Sequence, residues 1–368
     1  KYIKYYMIVL FSANSFEHIY KLRIDVIKHI KDQGHEIYAV AANDNYRNKL
    51  EKCGINTISV KIQANKKNIF ADLSLLLQYY KIFKKVNPHI LFNSTIKSNI
   101  YGSIVSNLLN IKTINNISGL GTTFLQSNTL KWFVIYLYKF SQKNVHKIYF
   151  QNKADLNLFE KLKISNTSKS KLIPGSGVNS LKFKRSKRLI PSTKINFLFI
   201  GRLVKEKGLN ELITAFAQYL DSYEASLIIA GQYNKNNPSS IKMSNFMLSE
   251  EKNITYIGHK KNIKRLLEEV DCLILPSYRE GLSNVVLEAL SMEVPVIASN
   301  VPGCKELIIH GKNGFLCEPR SPESLYRQIV KFHNLTSDRK IDMGIYGRKL
   351  IKEKYDIKFL YKIYMEDL

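Results

Sequence analysis

Two carboxylates eight positions apart, Glu280 and Glu288, frame the stretch YREGLSNVVLEAL at residues 278–290, and no other charge lies between them. The run before them, DCLILPS, reads as a buried strand. Gly281 interrupts the chain, and Ser283 is a good N-cap for a helix from Asn284 through Leu290, with Val285, Val286, Leu287 and Leu290 as its buried face. Glu280 then falls on the loop and Glu288 in the second turn. The backbone N–H groups of Ser283, Asn284, Val285 and Val286, between the two acids, are those that receive phosphate at a helix start. Each carboxylate can accept two hydrogen bonds from a vicinal diol without a shifted pKa. The spacing therefore suits a ligand with a diol at either end and a diphosphate in the middle, as in a nucleotide sugar. The plainer reading is one capping and one surface glutamate.

A second polar loop, GRLVKEKG at residues 201–208, follows the apolar run INFLFI. Gly201 at a strand end lets the backbone turn sharply and approach a ligand. Arg202 can grip a phosphate with two parallel N–H bonds, while Lys207 is a compact point charge. Taken alone, the loop reads equally as solvated surface charge; with the glutamate pair it reads as a diphosphate site. G-x-x-x-x-G-K-[ST] is absent, as is a G-x-G-x-x-G after any strand, which excludes a P-loop and a common dinucleotide fingerprint. No D-x-D occurs, so no carboxylate pair for a divalent metal is expected and no cofactor is implied.

These loops need a scaffold that presents strand ends. Short β-branched or aromatic runs at 7–13, 35–42, 56–62, 89–94 and 112–118 alternate with helical-period segments, among them 71–86. The alternation restarts at 194–203 and continues through 225–232, 254–259, 271–277 and 294–299. That is the pattern of parallel βαβ units with helices on both faces. The expected fold class is α/β, with two Rossmann-like doubly wound domains facing across a cleft. The domains are read as 1–173 and 193–350, joined by a Gly-, Ser-, Pro- and Lys-rich linker at 174–192. Residues 351–368 read either as a surface helix of the second domain or as a clasp returning to the first.

The 368 residues suit two domains. Cys53, Cys272, Cys304 and Cys317 show no C-x-x-C spacing, which favours reduced thiols in a cytosolic protein. The apolar runs at 7–13 and 132–138 are too short to cross a bilayer. The net charge is +26; residues 1–175 carry 26 Lys and Arg against 9 Asp and Glu, a net +17, and the remainder carries +9. Such a first half favours an anionic partner. A nucleic-acid partner is disfavoured, because the 22 tyrosines and 18 phenylalanines show no RNP-like or helix-turn-helix arrangement.

GRLVKEKG, REGLSNVVLEAL, VIASNVPGCKELI and GKNGFLCEP together resemble the retaining glycosyltransferases of family 4, which have the GT-B fold. The likeness is dense over 172–319. IYKLRIDVIKHIKDQGHEIYAVAA, KSNIYG and ISGLGTTF are similar to a bacterial subgroup that adds an N-acetylhexosamine to a polyprenyl-diphosphate-linked saccharide.

The resemblance implies that Arg202 and Lys207 hold the donor diphosphate and stabilise it as it leaves. It implies that Glu280 contacts the transferred sugar and Glu288 the ribose, with Gly201, Ser283, Asn284 and Val285 lining the phosphates and ribose. The loop at His259–Asn262 would lie against the nucleobase, and a loop at 12–16 with Ser12, Asn14 and Ser15 would close over the phosphates. A histidine that many family members carry after a first-domain strand is replaced here by SGLGTTF at 118–124; the subgroup shares that feature. Of the eight histidines, only His18 and His259 fall in segments assigned to the cleft, and both read as structural.

With no D-x-D, Arg202, Lys207 and the helix N-terminus would do a metal's electrostatic work. Family likeness further implies same-face attack, UDP-N-acetylgalactosamine as donor and a lipid-diphosphate-linked saccharide as acceptor. It implies a protein placed in the cytoplasm at the inner face of the plasma membrane, where the basic first half meets anionic lipid. Residues 129–147 mix Trp, Phe and Tyr with Lys, which suits the interface, but WFVIYLY is apolar all round and fits a core helix as well. A sugar-nucleotide epimerase or a phosphorylase on the same fold is the enzymatic alternative; the segments assigned to the cleft offer neither a histidine–carboxylate pair nor a recognisable lysine for pyridoxal phosphate.

Overall fold

A computed structural model describes residues 6–62, 69–120, 129–186, 194–235, 237, 239–241 and 253–368. The chain divides into two compact units, 1–176 with 357–368 and 177–356. Gly119 and Leu120 of the SGLGTTF stretch are described, and the rest of it lies outside the described residues.

The first unit holds β1 (Ile8–Ser15), α1 (Phe16–Asp32), β2 (Glu36–Ala42), α2 (Arg47–Glu51), β3 (Asn56–Ser59), α3 (Ile69–Val86) and β4 (Ile90–Ser94). A π-helix at Ser98–Gly102 leads into α4 (Ser103–Leu108), followed by β5 (Lys112–Ile117), α5 (Thr129–Ser141), β6 (Lys147–Phe150), α6 (Lys153–Lys161) and β7 (Ser170–Leu172). The strands pair in parallel in the order β3-β2-β1-β4-β5-β6-β7. β1 is buried on both faces, as a parallel strand between two helix layers must be. Leu10 faces α3 with Leu75, Tyr79 and Phe83, while Val9 and Phe11 face α1.

The segment 12–16 is not a loop. β1 runs to Ser15, with a register shift between Ser12 and Ser15, and α1 starts at Phe16. Ser15 caps that helix, its Oγ accepting from His18 N–H at 3.1 Å. The α1 imidazole has a buried Nε2 without a partner among the described residues. Burial, reinforced by the Arg23 charge, lowers the His18 pKa to about 4. Below its ordinary value of 6.5 the unfolded chain takes up a proton that the folded chain refuses until about pH 4. Stability therefore falls as pH falls, by about 2 kcal/mol between pH 7 and pH 5. Urea melts at the two pH values check this: the loss should shrink in His18→Gln, and an unchanged slope would show that other groups carry it.

The second unit contains β8 (Ile195–Ile200), α7 (Leu209–Leu220), β9 (Ala225–Ala230), β10 (Ile254–Tyr256), α8 (Ile263–Glu268), β11 (Cys272–Leu275) and α9 (Asn284–Ser291). β12 (Val296–Ser299), β13 (Gly314–Cys317), α10 (Pro322–His333) and α11 (Ser337–Leu350) complete it. Its parallel sheet runs β10-β9-β8-β11-β12-β13. Part of the segment read as a linker is packed into this unit: Val178 bridges to Asp356, and Arg348 donates to the Ser180 and Phe183 carbonyls.

α12 (Ile357–Asp367) belongs to the first unit. Leu360 and Tyr364 are buried, and Tyr364 stacks near Phe11 and Phe92. Burial would raise the Asp367 pKa, but hydrogen bonds from Lys147, Tyr149 and Lys171 outweigh it and hold the carboxylate below its usual range. An aromatic face and a buried acid thus fasten the last helix to β6 and β7.

Candidate functional site

In each sheet the strand order reverses once, and the carboxyl edge at that reversal is where open α/β sheets bind ligands. In the second unit the reversal lies between β8 and β11. GRLVKEKG leaves β8 there, and PSYREG leaves β11.

The β8 loop passes through a short 3-10 turn at Lys205–Lys207 and reaches α7 through Gly208, whose φ is 69°. Backbone bonds cross between neighbouring loops. Tyr278 N–H donates to Glu206 O at 2.9 Å, Glu280 N–H to Pro302 O at 3.1 Å, and Ser283 N–H to Gly303 O at 3.1 Å. Three connections, from β8, β11 and β12, are thereby tied together. At their centre Lys207 forms an ion pair with Glu280, and both side chains are largely withdrawn from solvent, at 19% and 14% exposure. The sequence reading gives these residues separate tasks, on diphosphate and sugar; the structure joins them.

Arg202 is exposed, and its guanidinium has no partner among the described residues. Gly201 N–H closes on Ala230 O at 3.0 Å. α9 begins at Asn284, as the pattern of apolar residues predicts. Ser283 holds the N-cap position, but its side chain makes no capping bond, and its own N–H is spent on Gly303. The amides open to an anion are those of Asn284, Val285 and Val286, which have no acceptor among the described residues. The Asn284 Oδ1 atom is also buried without a partner among them. Glu288 lies half-buried one turn further along α9. His259 sits exposed after β10, in the connection whose Gly258 carbonyl accepts from Gly231 N–H at 3.0 Å.

Two family models match the chain. One described as "Glycosyl transferases group 1" covers residues 181–350, and one described as "Glycosyl transferase 4-like" covers residues 8–152. The chain is a family 4 glycosyltransferase.

This glycosyltransferase is 27% identical over 321 residues to the Staphylococcus aureus capsular polysaccharide biosynthesis glycosyltransferase CapM, covering 80% of each chain. It is 25% identical over 371 residues to the Campylobacter jejuni N,N'-diacetylbacillosaminyl-diphospho-undecaprenol alpha-1,3-N-acetylgalactosaminyltransferase, covering 94% of this chain and 96% of that one. Among solved structures it superposes on Anabaena HepE in complex with UDP-glucose with a TM-score of 0.82. That match has 19% identity and covers 98% of this chain and 99% of HepE. The fold is GT-B.

Several residues of the transferase's three-loop junction escape the sequence reading. Glu306 accepts from Gly303 N–H at 2.7 Å and steadies the β12 loop against Glu280. Tyr278 donates to Glu211 Oε1 at 2.6 Å, with Arg320 over its ring at 4.7 Å. Ser277 is fully buried, and its Oγ has no partner among the described residues; a serine closing an apolar run was the available signal. Cys304 lies beside the Lys207–Glu280 pair, and burial pushes its thiol pKa up. Among the described residues no group of three or more His, Cys, Asp or Glu gathers as a metal site.

In the first unit the order reverses between β1 and β4. Ser12 is buried there, with its hydroxyl 3.0 Å from that of Tyr79. Asn14 and Thr95 hold each other, the Asn14 N–H donating to Thr95 Oγ1 and that hydroxyl donating to Asn14 Oδ1 at 2.8 Å. Thr95 has φ 79°, an outlier for a β-branched residue. Ser12, Asn14 and Ser15 thus each make a side-chain hydrogen bond inside the unit, at the β1 edge.

Proposed function

We propose that this glycosyltransferase moves N-acetylgalactosamine from UDP-N-acetylgalactosamine, with retention, to a saccharide carried on a polyprenyl diphosphate at a membrane surface. The observation that supports it most is the Lys207–Glu280 pair, joining the loop that carries the exposed Arg202 to the loop that leads into the open amides of α9. The name of the Campylobacter relative supplies the sugar and the carrier.

In this reading Arg202 and the amides of Asn284 and Val285 bind the diphosphate, and Lys207 faces the oxygen that leaves. As the bond between the anomeric carbon and that oxygen lengthens, negative charge grows where these groups already point. An acceptor hydroxyl forms the new bond on the same face and passes its proton to the leaving phosphate. Glu280 spends part of its acceptor capacity on Lys207 and the rest on a hydroxyl of the sugar. Glu288 takes the ribose, Gly201 lets the phosphates come close, and the loop at His259 lies against the base. Ser283 supports this from the N-cap position.

Calorimetric titration with UDP-N-acetylgalactosamine, UDP-N-acetylglucosamine, UDP-glucose and GDP-mannose tests the donor, with and without magnesium. The first should bind tightest without metal, and Glu288→Ala should weaken it about tenfold by removing a charged hydrogen-bond acceptor. Equal binding of all four would overturn the donor assignment, and binding that needs magnesium would overturn the electrostatic account. Conversion of the sugar nucleotide without an acceptor would favour the epimerase.

A further inference from the structure

Among the described residues, the first unit carries an apolar face that their packing leaves exposed. Fifteen large hydrophobic side chains are exposed among the described residues, and ten of them lie on α3, α4 and α5. On α3 they are Ile69, Phe70, Leu73, Leu77 and Tyr80; on α5 they are Trp132, Phe133, Tyr136 and Phe140; Leu108 closes α4 between them. The other five sit singly elsewhere. α3 and α5 both pack on α4 and on the π-helix that precedes it, so the stripes belong to adjacent helices. Each stripe follows a spacing of three to four residues, opposite the buried positions Leu75, Tyr79 and Phe83 on α3 and Ile135 and Tyr138 on α5. A patch of this kind on a soluble surface marks an interaction site.

Its charge selects the occupant. Exposed Lys81, Lys84 and Lys85 follow the α3 stripe, and Lys139 and Lys143 follow that of α5. The single acid of α3, Asp72, is neutralised by Lys97 at 2.6 Å, and α5 has none. At the end of α5 a shallow pocket is lined by Lys139, Lys143, Lys163 and Lys169 around one acid, Glu160. Aromatic and aliphatic side chains bordered by lysines match the boundary between acyl chains and anionic headgroups. We infer that the α3–α4–α5 face lies on an anionic lipid bilayer, with the four-lysine pocket over headgroup phosphates. The α5 run that the sequence leaves open between core and interface serves both, with one side each.

This deepens the proposed function, since a lipid-borne acceptor lies in that plane, but its test uses neither donor nor acceptor. Co-sedimentation is measured with phosphatidylcholine vesicles, alone or mixed with phosphatidylglycerol. The mixed vesicles should capture the protein. Leu77→Glu and Phe133→Glu should each weaken capture about tenfold, and Lys139→Gln with Lys143→Gln about fivefold per lysine. Leu181→Glu, on the second unit and 86% exposed, should leave it unchanged. All five positions are exposed, and circular dichroism confirms that each variant is folded. Failure of the mixed vesicles to bind, or an equal loss in Leu181→Glu, overturns the inference. So does sedimentation velocity showing a dimer that Leu77→Glu dissociates while vesicle affinity stays. Titrating UDP-N-acetylgalactosamine in the same preparations separates the outcomes: donor binding without vesicle capture sinks the face alone, and capture without donor binding sinks the donor reading alone.

Discussion

On the proposed function, Lys207→Ala is expected to lower kcat/KM for sugar transfer by about 10²–10³-fold, the usual cost of removing one group that stabilises charge on a leaving oxygen. Most of the loss should appear in kcat, because an interaction that strengthens as charge develops contributes more in the transition state than in binding. Glu280→Gln keeps the shape and an acceptor oxygen but removes the charge that holds the ammonium, so it should cost less, about 10-fold. Stability distinguishes the structural part of the pair from the chemical part. With both side chains mostly withdrawn from water, removing either partner leaves the other poorly compensated, at about 1–2 kcal/mol after allowing for residual solvent. The double variant Lys207→Ala/Glu280→Ala should regain part of that stability and none of the activity. Initial rates and urea melts on the four proteins measure both effects. If Lys207→Ala transferred sugar at the parent rate, the ion pair would be a structural tie between two loops and nothing more.

Much of the scaffold is legible from composition alone, for a physical reason. Strands buried on both faces must be continuously apolar, and INFLFI, CLIL and VIAS announce themselves; the glycines and polar residues that follow mark the edge where ligands bind. β6, β7 and β13 were not expected, because KIYF, SKL and GFLC are too short or too mixed to carry a period. The start of α9 at Asn284 was legible from Ser283 onward, since N-cap preference is local. The Ser283–Gly303 bond was not, because it depends on where the β12 loop arrives. The same limit hides the Lys207–Glu280 pair. Each residue is marked as site chemistry by its own neighbourhood, but their contact joins positions 73 residues apart. The partner of Ser12 is hidden for a related reason: nothing in SANSF shows that Tyr79, on α3, will lie 3.0 Å from its hydroxyl. Segment type follows from nearby residues, whereas pairing between strand-end loops follows from sheet order.

Gly208→Ala should be the most destabilising single-methyl change at the junction, and comparison with Gly258→Ala shows why. Both glycines occupy the left-handed region, with φ of 69° and 71°. A side chain there costs about 1–2 kcal/mol from the backbone alone. At Gly258 an added Cβ meets nothing within 4 Å, so that term is the whole effect. At Gly208 the same atom would stand 2.0 Å from the carbonyl oxygen of Pro276 and 3.1 Å from its Cβ. The obstacle is backbone, which cannot swing aside as a side-chain tip would, so the β8 and β11 loops must part. The expected loss is about 3–4 kcal/mol, backbone strain plus overpacking. Parting the loops also strains the Tyr278–Glu206 backbone bond and draws Lys207 from Glu280, so kcat measured below the melting temperature should fall with stability in Gly208→Ala. It should fall far less in Gly258→Ala, whose connection is read against the base and so acts on donor binding. Urea melts and transfer rates on the two variants decide it. Equal melting would mean that the close approach of the loops is not what fixes Lys207, and the glycine between the lysine and α7 would then serve only to turn the chain.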